Sequence, residues 1–395
     1  MDYRHSVDHL LTQEPLATLV GRVRVPGEVG ARIVAVRGSR MFDLTGLEAT
    51  MSGLLERPDL LYIVRTASAD VSWPVADVVR DTLAGRGTAP RLISPIDLQI
   101  IKAAGVTFVK SMIERVIEER AGGDATQALA IRDRITATVG GAIGSIRPGS
   151  DEAQEAKRIL IAEGLWSQYL EVGIGPDPEI FTKAPVLSSV GTATPIGVLE
   201  RSTWNNPEPE VVLAVTSGGR PVGAMLGNDV NLRDFEGRSA LLLGEAKDNN
   251  GSCALGPMIR LFDETFTGVE NLDLTLRVTG EDGFQLDDGS SMSEMSRTIP
   301  ELIRYTVGAH HQYPDGFVLF TGTLFAPTLD RDSEGLGFTH KDGDIVRISC
   351  PELGTLVNQV RSAETCPPWT VGINSFFADL AVRGLLSSRG SVSSV

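Results

Sequence analysis

Residues 206–234 read NPEPEVVLAVTSGGRPVGAMLGNDVNLRD, two apolar, β-branched runs on either side of Ser217-Gly218-Gly219-Arg220. A Gly-Gly pair between strand-like runs suits a two-residue hairpin turn, because glycine takes positive φ without steric cost. Glu208 and Glu210 are two apart, so on an extended strand both side chains leave by the same face. A turn centred on Gly218-Gly219 sets Asp229 across from Glu208, and Gly227 across from Glu210. Three carboxylates then converge on one small patch, unless a bulge shifts the register or Pro209 disturbs pairing at that end.

Carboxylates this close repel one another unless a cation sits among them. Oxygen donors with no His or Cys beside them suit a hard ion, Mg²⁺ first, then Mn²⁺ or Ca²⁺. Spacing alone leaves open the alternative that these are ordinary solvated acids at strand ends.

Working outward, 395 residues exceed the usual size of one core, so two domains are expected. Short β-branched runs at 23–25 and 31–36, with helices over 47–55 and 75–83, make residues 1–92 a small α+β domain. The Gly- and Pro-rich stretch 85–95 closes it, and a catalytic domain over 93–386 follows. Apolar spacing predicts helices over 97–121, 124–139 and 151–169. Strands are predicted at 211–215, 222–226, 272–278, 316–321 and 344–349, and a late helix over 294–307. The tail 387–395, SSRGSVSSV, reads as flexible.

A net charge of −15 argues against nucleic acid as a partner, since phosphate binding needs a basic surface. No stretch approaches the roughly 18 to 20 apolar residues that span a bilayer. Three scattered cysteines, Cys253, Cys350 and Cys366, form neither a disulfide framework nor a zinc site, so a reducing cytoplasm is expected.

Several segments, in order, resemble the fumarylacetoacetate hydrolase superfamily. EPE at 208–210 and NDVNLRD at 228–234 are similar to its metal-binding elements, although Asn231 stands where the family more often has Ser. PEIFTKAP (178–185), AKDNNGSCALGPMI (246–259), FTGT (320–323) and GDIVRISCPELGTLVNQV (343–360) agree as well. The resemblance implies an α+β fold built on a mixed β-sandwich roll, in a homodimer or homotetramer. It implies Glu208, Glu210 and Asp229 as Mg²⁺ ligands, Lys247 as an active-site lysine and Thr323 as a hydrogen-bond donor to the substrate carboxylate. Arg233 and Asp234 are expected to form a supporting ion pair, and Lys183 to serve as a structural partner of a carboxylate.

The branch is a further question. Acylpyruvate hydrolases of the superfamily pair a His near the start of the catalytic domain with a Glu to activate water. Here the five histidines are His5, His9, His310, His311 and His340, and none lies between 10 and 309. Gly105–Phe108 (GVTF), PEIF.K and PEPE instead resemble the 2-keto-3-deoxy sugar-acid dehydratases. That resemblance places Glu179 in the active site and Gly105 and Thr107 at the substrate. It implies dehydration of 2-keto-3-deoxy-D-xylonate or D-arabinonate to 2,5-dioxopentanoate; in the mechanism expected here, Lys247 takes a proton from C3 and Glu179, or a water it holds, protonates the leaving hydroxyl. Burial and a nearby ion are expected to lower the Lys247 pKa. The helix around 109–119 either lids the pocket or packs as part of its shell. The alternatives are an acylpyruvate hydrolase or 2-keto diacid decarboxylase on the same metal site, and a non-catalytic binding homologue.

Overall fold

The computed structural model describes residues 3, 9–128, 131, 146–162, 164–323, 327, 329–333 and 337–386. Most of the helix expected over 124–139, and the whole tail 387–395, lie outside the described residues. No helix among the described residues is long and apolar enough to cross a membrane.

The chain opens with β1 (Leu19–Arg24), β2 (Ala31–Arg37), β3 (Arg40–Asp43), β4 (Ser72–Pro74) and β5 (Arg91–Ile93). Then come β6 (Ile100–Gly105), β7 (Glu179–Ala184), β8 (Ile196–Val198) and β9 (Asn205–Asn206). The central hairpin is β10 (Pro209–Val215) and β11 (Pro221–Asp229), followed by β12 (Asn231–Leu232) and β13 (Cys253–Leu261). β14 (Asp273–Thr279), β15 (Gln285–Ser291), β16 (Phe317–Phe320), β17 (Ile345–Cys350) and β18 (Gly354–Ser362) complete the set.

One large sheet runs β4-β3-β2-β1-β13-β11-β10-β16-β6-β7, with β5 also paired to β1. The second runs β15-β14-β17-β18-β8, and β9 and β12 form a small ribbon. Both large sheets are mixed, because β6 runs parallel to β16 and β8 parallel to β18. The first strands belong to the same sheet as the hairpin, since Leu19 and Val20 pair with Arg260 and Ile259 of β13.

The hairpin strands are apolar on both faces because both faces are covered. Val211, Leu213 and Val215 pack with Leu274, Leu276, Val346 and Ile348 of the second sheet. Val212 and Ala214 face the other way, onto Leu54, Leu60 and Val64 of the helices Met51–Glu56 and Leu60–Thr66. Glu208 and Glu210 share the parity of Val212 and Ala214, so their carboxylates stand at the end of this second core.

The segment 97–121 is not one helix. Ile100–Gly105 is a strand held between β16 and β7, and the helix Val109–Arg120 begins only after Val106 turns the chain at φ +56°. Sheet pairing on both sides outweighs the local helical spacing. The helix expected over 151–169 is likewise two, Asp151–Ala162 and Gln168–Ile174, broken around Gly164 at φ +68°.

Candidate active site

The hairpin pairs Pro209 with Asn228 and Glu210 with Gly227, and the Asp229 amide donates to the Glu208 carbonyl at 3.0 Å. The register expected for the three carboxylates therefore holds, but the turn differs. Gly219 N donates to Thr216 O at 2.9 Å and Thr216 N to Arg220 O at 3.0 Å, closing a three-residue loop in which Gly219, at φ +78°, is left-handed and Gly218 is not. An irregularity between Ala214 and Val215 absorbs the extra residue, and the pairing is restored from Ala214 onward.

One oxygen from each of Glu208, Glu210 and Asp229 lies within 4.8 Å of the others, and all three side chains are buried. Octahedral ligands about 2.1 Å from a Mg²⁺ stand roughly 3 to 4 Å apart, so a small contraction of this cluster would hold the ion. Three buried, all-oxygen anionic donors fit a hard divalent cation.

Cations from distant segments balance the cluster. Lys247 Nζ lies 2.5 Å from Glu208 Oε2 and 3.3 Å from Asp229 Oδ2. Lys183, fully buried, reaches Asp229 Oδ1 at 2.8 Å and also donates to the Lys247 carbonyl. Burial opposes the charge on Asp229, but Lys183 and Lys247 overcome it and hold its pKa below the usual range. Glu210 is pushed well up, by burial first and then by Asp229 and Glu208, although it accepts the Gly322 amide at 2.6 Å. The lowering expected for Lys247 supposes a nearby ion as well as burial. Burial does pull its pKa down, but Asp229, Glu208 and Glu236 outweigh that and raise it above the ordinary lysine value.

Glu179 and Phe181 share one face of β7 by their spacing, and Lys183 sits at an irregularity of the strand just beyond them. Glu179 pairs with Gly105 across the strands, and a Cβ at 105 would lie 2.0 Å from Glu179 Oε2. Glycine here makes room for the carboxyl. Burial, and then the charge of Glu236, push the Glu179 pKa up to about 7. Thr323 lines the cavity and its hydroxyl donates to the Pro209 carbonyl at 3.1 Å. Thr107 does not line it: its hydroxyl donates to the Thr321 carbonyl at 2.7 Å and so holds the strand leading to Gly322 and Thr323.

The helix Val109–Arg120 closes the site. Arg115, buried, bridges Glu208, Glu118 at 2.7 Å and Glu236 at 3.0 Å. Arg233 does not pair with Asp234. The short helix Arg233–Glu236 points Arg233 at Glu118, 2.7 Å away, and at Glu114, 3.4 Å away, while Asp234 accepts from Ser202 and from the Thr203 amide. Adjacent helical residues face different directions, which is why the two part. The enclosed space is about 20 Å³, room for an ion or a water. Ser111, Arg115 and Glu236 line it and were not singled out from the sequence; the charge repeats Arg115/Glu118 and Arg233/Glu236, three apart on facing helices, are the signal that points to them. No histidine lines the cavity among the described residues: His310 and His311 are exposed, and His340 is buried beside Asp344.

Residues 221–361 match the family model for the fumarylacetoacetate (FAA) hydrolase C-terminal domain. The chain is 36% identical over 184 residues to 2-dehydro-3-deoxy-D-arabinonate dehydratase of Saccharolobus solfataricus, spanning 47% of this chain and 59% of that relative, less than two thirds of its length. It is 28% identical over 342 residues to the "Probable 2-keto-3-deoxyxylonate dehydratase" of Haloferax volcanii, spanning 86% of this chain and 98% of the relative. A solved structure of 2-keto-3-deoxy-D-arabinonate dehydratase, complexed with magnesium and 2,5-dioxopentanoate, superposes with a TM-score of 0.62 at 24% identity, over 87% of this chain and 99% of that one. Residues 221–361, with Asp229 and Lys247 among them, thus carry a fumarylacetoacetate hydrolase superfamily domain, and the likeness to the solved structure is one of fold.

Proposed function

We propose that this protein is a Mg²⁺-dependent hydro-lyase that converts a 2-keto-3-deoxypentonate, D-xylonate or D-arabinonate in type, to 2,5-dioxopentanoate. The observation that carries the proposal is the pairing of the acidic triad with Glu179, a carboxyl whose pKa of about 7 leaves it partly protonated at neutral pH. The relatives named as dehydratases support the same reading.

Glu208, Glu210 and Asp229 would hold the ion, whose Lewis acidity stabilises negative charge developing on the 2-oxo oxygen. Lys247 takes a proton from C3. Of the three carboxylates that keep its ammonium charged, Glu208 and Asp229 would also hold the ion, and Glu236 would not. Glu179 delivers a proton to the C4 hydroxyl, the C4–O bond breaks, and water leaves. A proton then moves from C5 to C3, giving a C4=C5 enol, whose hydroxyl proton passes to C4 as the aldehyde forms, so that one water is lost in all. Thr323 and the Gly322 backbone border the cavity where the substrate carboxylate would bind without a counter-charge. No nucleophilic water is called for, which agrees with a cavity lined by carboxyls and no imidazole among the described residues.

The proposal extends to a homodimer or homotetramer in a reducing cytoplasm. Apolar side chains exposed along the C-terminal helix, Ile373, Phe377 and Val382, support association, and three free, buried cysteines support the compartment. The test is incubation with 2-keto-3-deoxypentonate and Mg²⁺, trapping 2,5-dioxopentanoate with a semialdehyde dehydrogenase. Turnover of an acylpyruvate or a 2-keto diacid, with none of the sugar acid, would overturn it.

A further inference from the structure

The triad, Lys247 and the Gly322-Thr323 segment account for the oxo-acid end of a substrate. They leave unexplained the other polar wall of the cavity, made by Glu179, Glu236 and the guanidinium of Arg115. Glu236 is not part of the ion-holding triad, and Arg115 spans from it to Glu208, so its carboxylate stands one guanidinium width from the nearest ligand. It is also held in place from behind: the Tyr169 hydroxyl donates to its backbone carbonyl at 3.2 Å, and Arg233, three residues earlier, is locked to Glu118.

One atom of this group is distinctive. Glu236 Oε2 is buried and has no hydrogen bond: Arg115 Nη1, 3.0 Å away, supplies charge but lies off hydrogen-bond geometry. A buried carboxylate oxygen without a donor is costly, and a donor supplied by a ligand relieves the cost. Hydrogens on an alkyl or aryl tail cannot do this; a hydroxyl can.

We infer that Glu236, clamped by Arg115, is the specificity-determining residue that accepts a hydrogen bond from the hydroxyl at the end of the substrate remote from the oxo acid. The inference rests on the reaction proposed above, because that reaction fixes which end of the acid meets the triad. It narrows the substrate class to 2-oxo acids with a hydroxylated tail. A site built to pair a hydroxyl rejects the analogue lacking it, because the acceptor is then left unpaired.

The test compares 2-keto-3-deoxypentonate with 4-hydroxy-2-oxopentanoate, which lacks only the terminal hydroxyl, on the full-length Mg²⁺-loaded protein. Preference is read as the ratio of kcat/KM where both acids react, and as the ratio of calorimetric Kd where they do not. The wild type is expected to favour the hydroxylated acid by about ten- to a hundredfold. Glu236→Met should bring the ratio close to one, and Glu236→Gln, which keeps an acceptor, should retain part of it. If Glu236→Met folds poorly, the Gln variant and the wild-type ratio still decide. An unchanged ratio in either variant, or a wild-type ratio near one, overturns the assignment. Discrimination in binding without dehydration of either acid would sink the proposed reaction and leave the role of Glu236 standing.

Discussion

The ammonium of Lys247 lies 2.5 Å from Glu208 Oε2, and the same ammonium is 3.3 Å from Asp229 Oδ2, so one lysine pairs with two of the three carboxylates that would ligate an ion. Lysine and divalent cation thus draw on the same oxygens. Lys247→Met should therefore leave Mg²⁺ binding intact or tighten it, as measured by calorimetry. The same variant should lose C3 proton exchange in deuterated water and about 10² to 10⁴ in rate. Continued exchange would remove Lys247 from the role of base.

Asp229 has a second dependant. Lys183 is fully buried and its ammonium sits 2.8 Å from Asp229 Oδ1. Asp229→Asn should abolish Mg²⁺ binding and turnover together. Leaving a buried ammonium without its carboxylate should also cost about 3 kcal/mol in stability. Double substitution with Lys183→Met should recover much of the stability, read by denaturant unfolding, and none of the metal binding.

The raised pKa of Glu179 fixes the sign of a pH effect. Between its unfolded value near 4.5 and its folded value of about 7, the folded state binds more protons than the unfolded one. The contribution of Glu179 to the stability of the metal-free protein should then fall as pH rises through this window, by an amount on the order of 3 kcal/mol, and level off above it. Glu179→Gln should remove that slope in melting experiments run between pH 5 and 8. In the Mg²⁺-loaded enzyme, activity should decline as pH rises past the Glu179 pKa, since its acid form is the donor.

Gly105→Ala is expected to be more damaging than its size suggests. The new methyl would fall 2.0 Å from Glu179 Oε2, so the carboxyl must swing away from the cavity. Turnover should drop by about tenfold or more, with Mg²⁺ affinity nearly unchanged because the triad is on other strands. Equal loss of both would show that the strand itself had moved.

The reach of the sequence varied with the range of the interaction. The acidic cluster was legible because strand alternation and one turn place Glu208, Glu210 and Asp229 within a single hairpin. Even a wrong turn type left the register right, since the irregularity at Ala214 absorbed the extra loop residue. Residues 100–105 were misread as helix because their strand character comes from partners at 317–320 and 179–184, which no local pattern reveals. Arg115 and Glu236 escaped notice for a similar reason: each looks like an ordinary helix charge until the two helices are brought together. Burial of Lys247 is foreseen from the sequence, whereas the three carboxylates that raise its pKa without an ion come together only in the fold.

The three carboxylates come from one hairpin closed by a short loop, whereas Arg115, Lys183 and Lys247 arrive from a helix and two other segments. Contacts close in sequence form early, and remote ones wait for the rest of the chain to collapse. A molecule maturing in millimolar magnesium thus meets its ion while the acidic ribbon is still open to water. It need never displace these basic side chains to admit the metal, whereas protein refolded in chelator must.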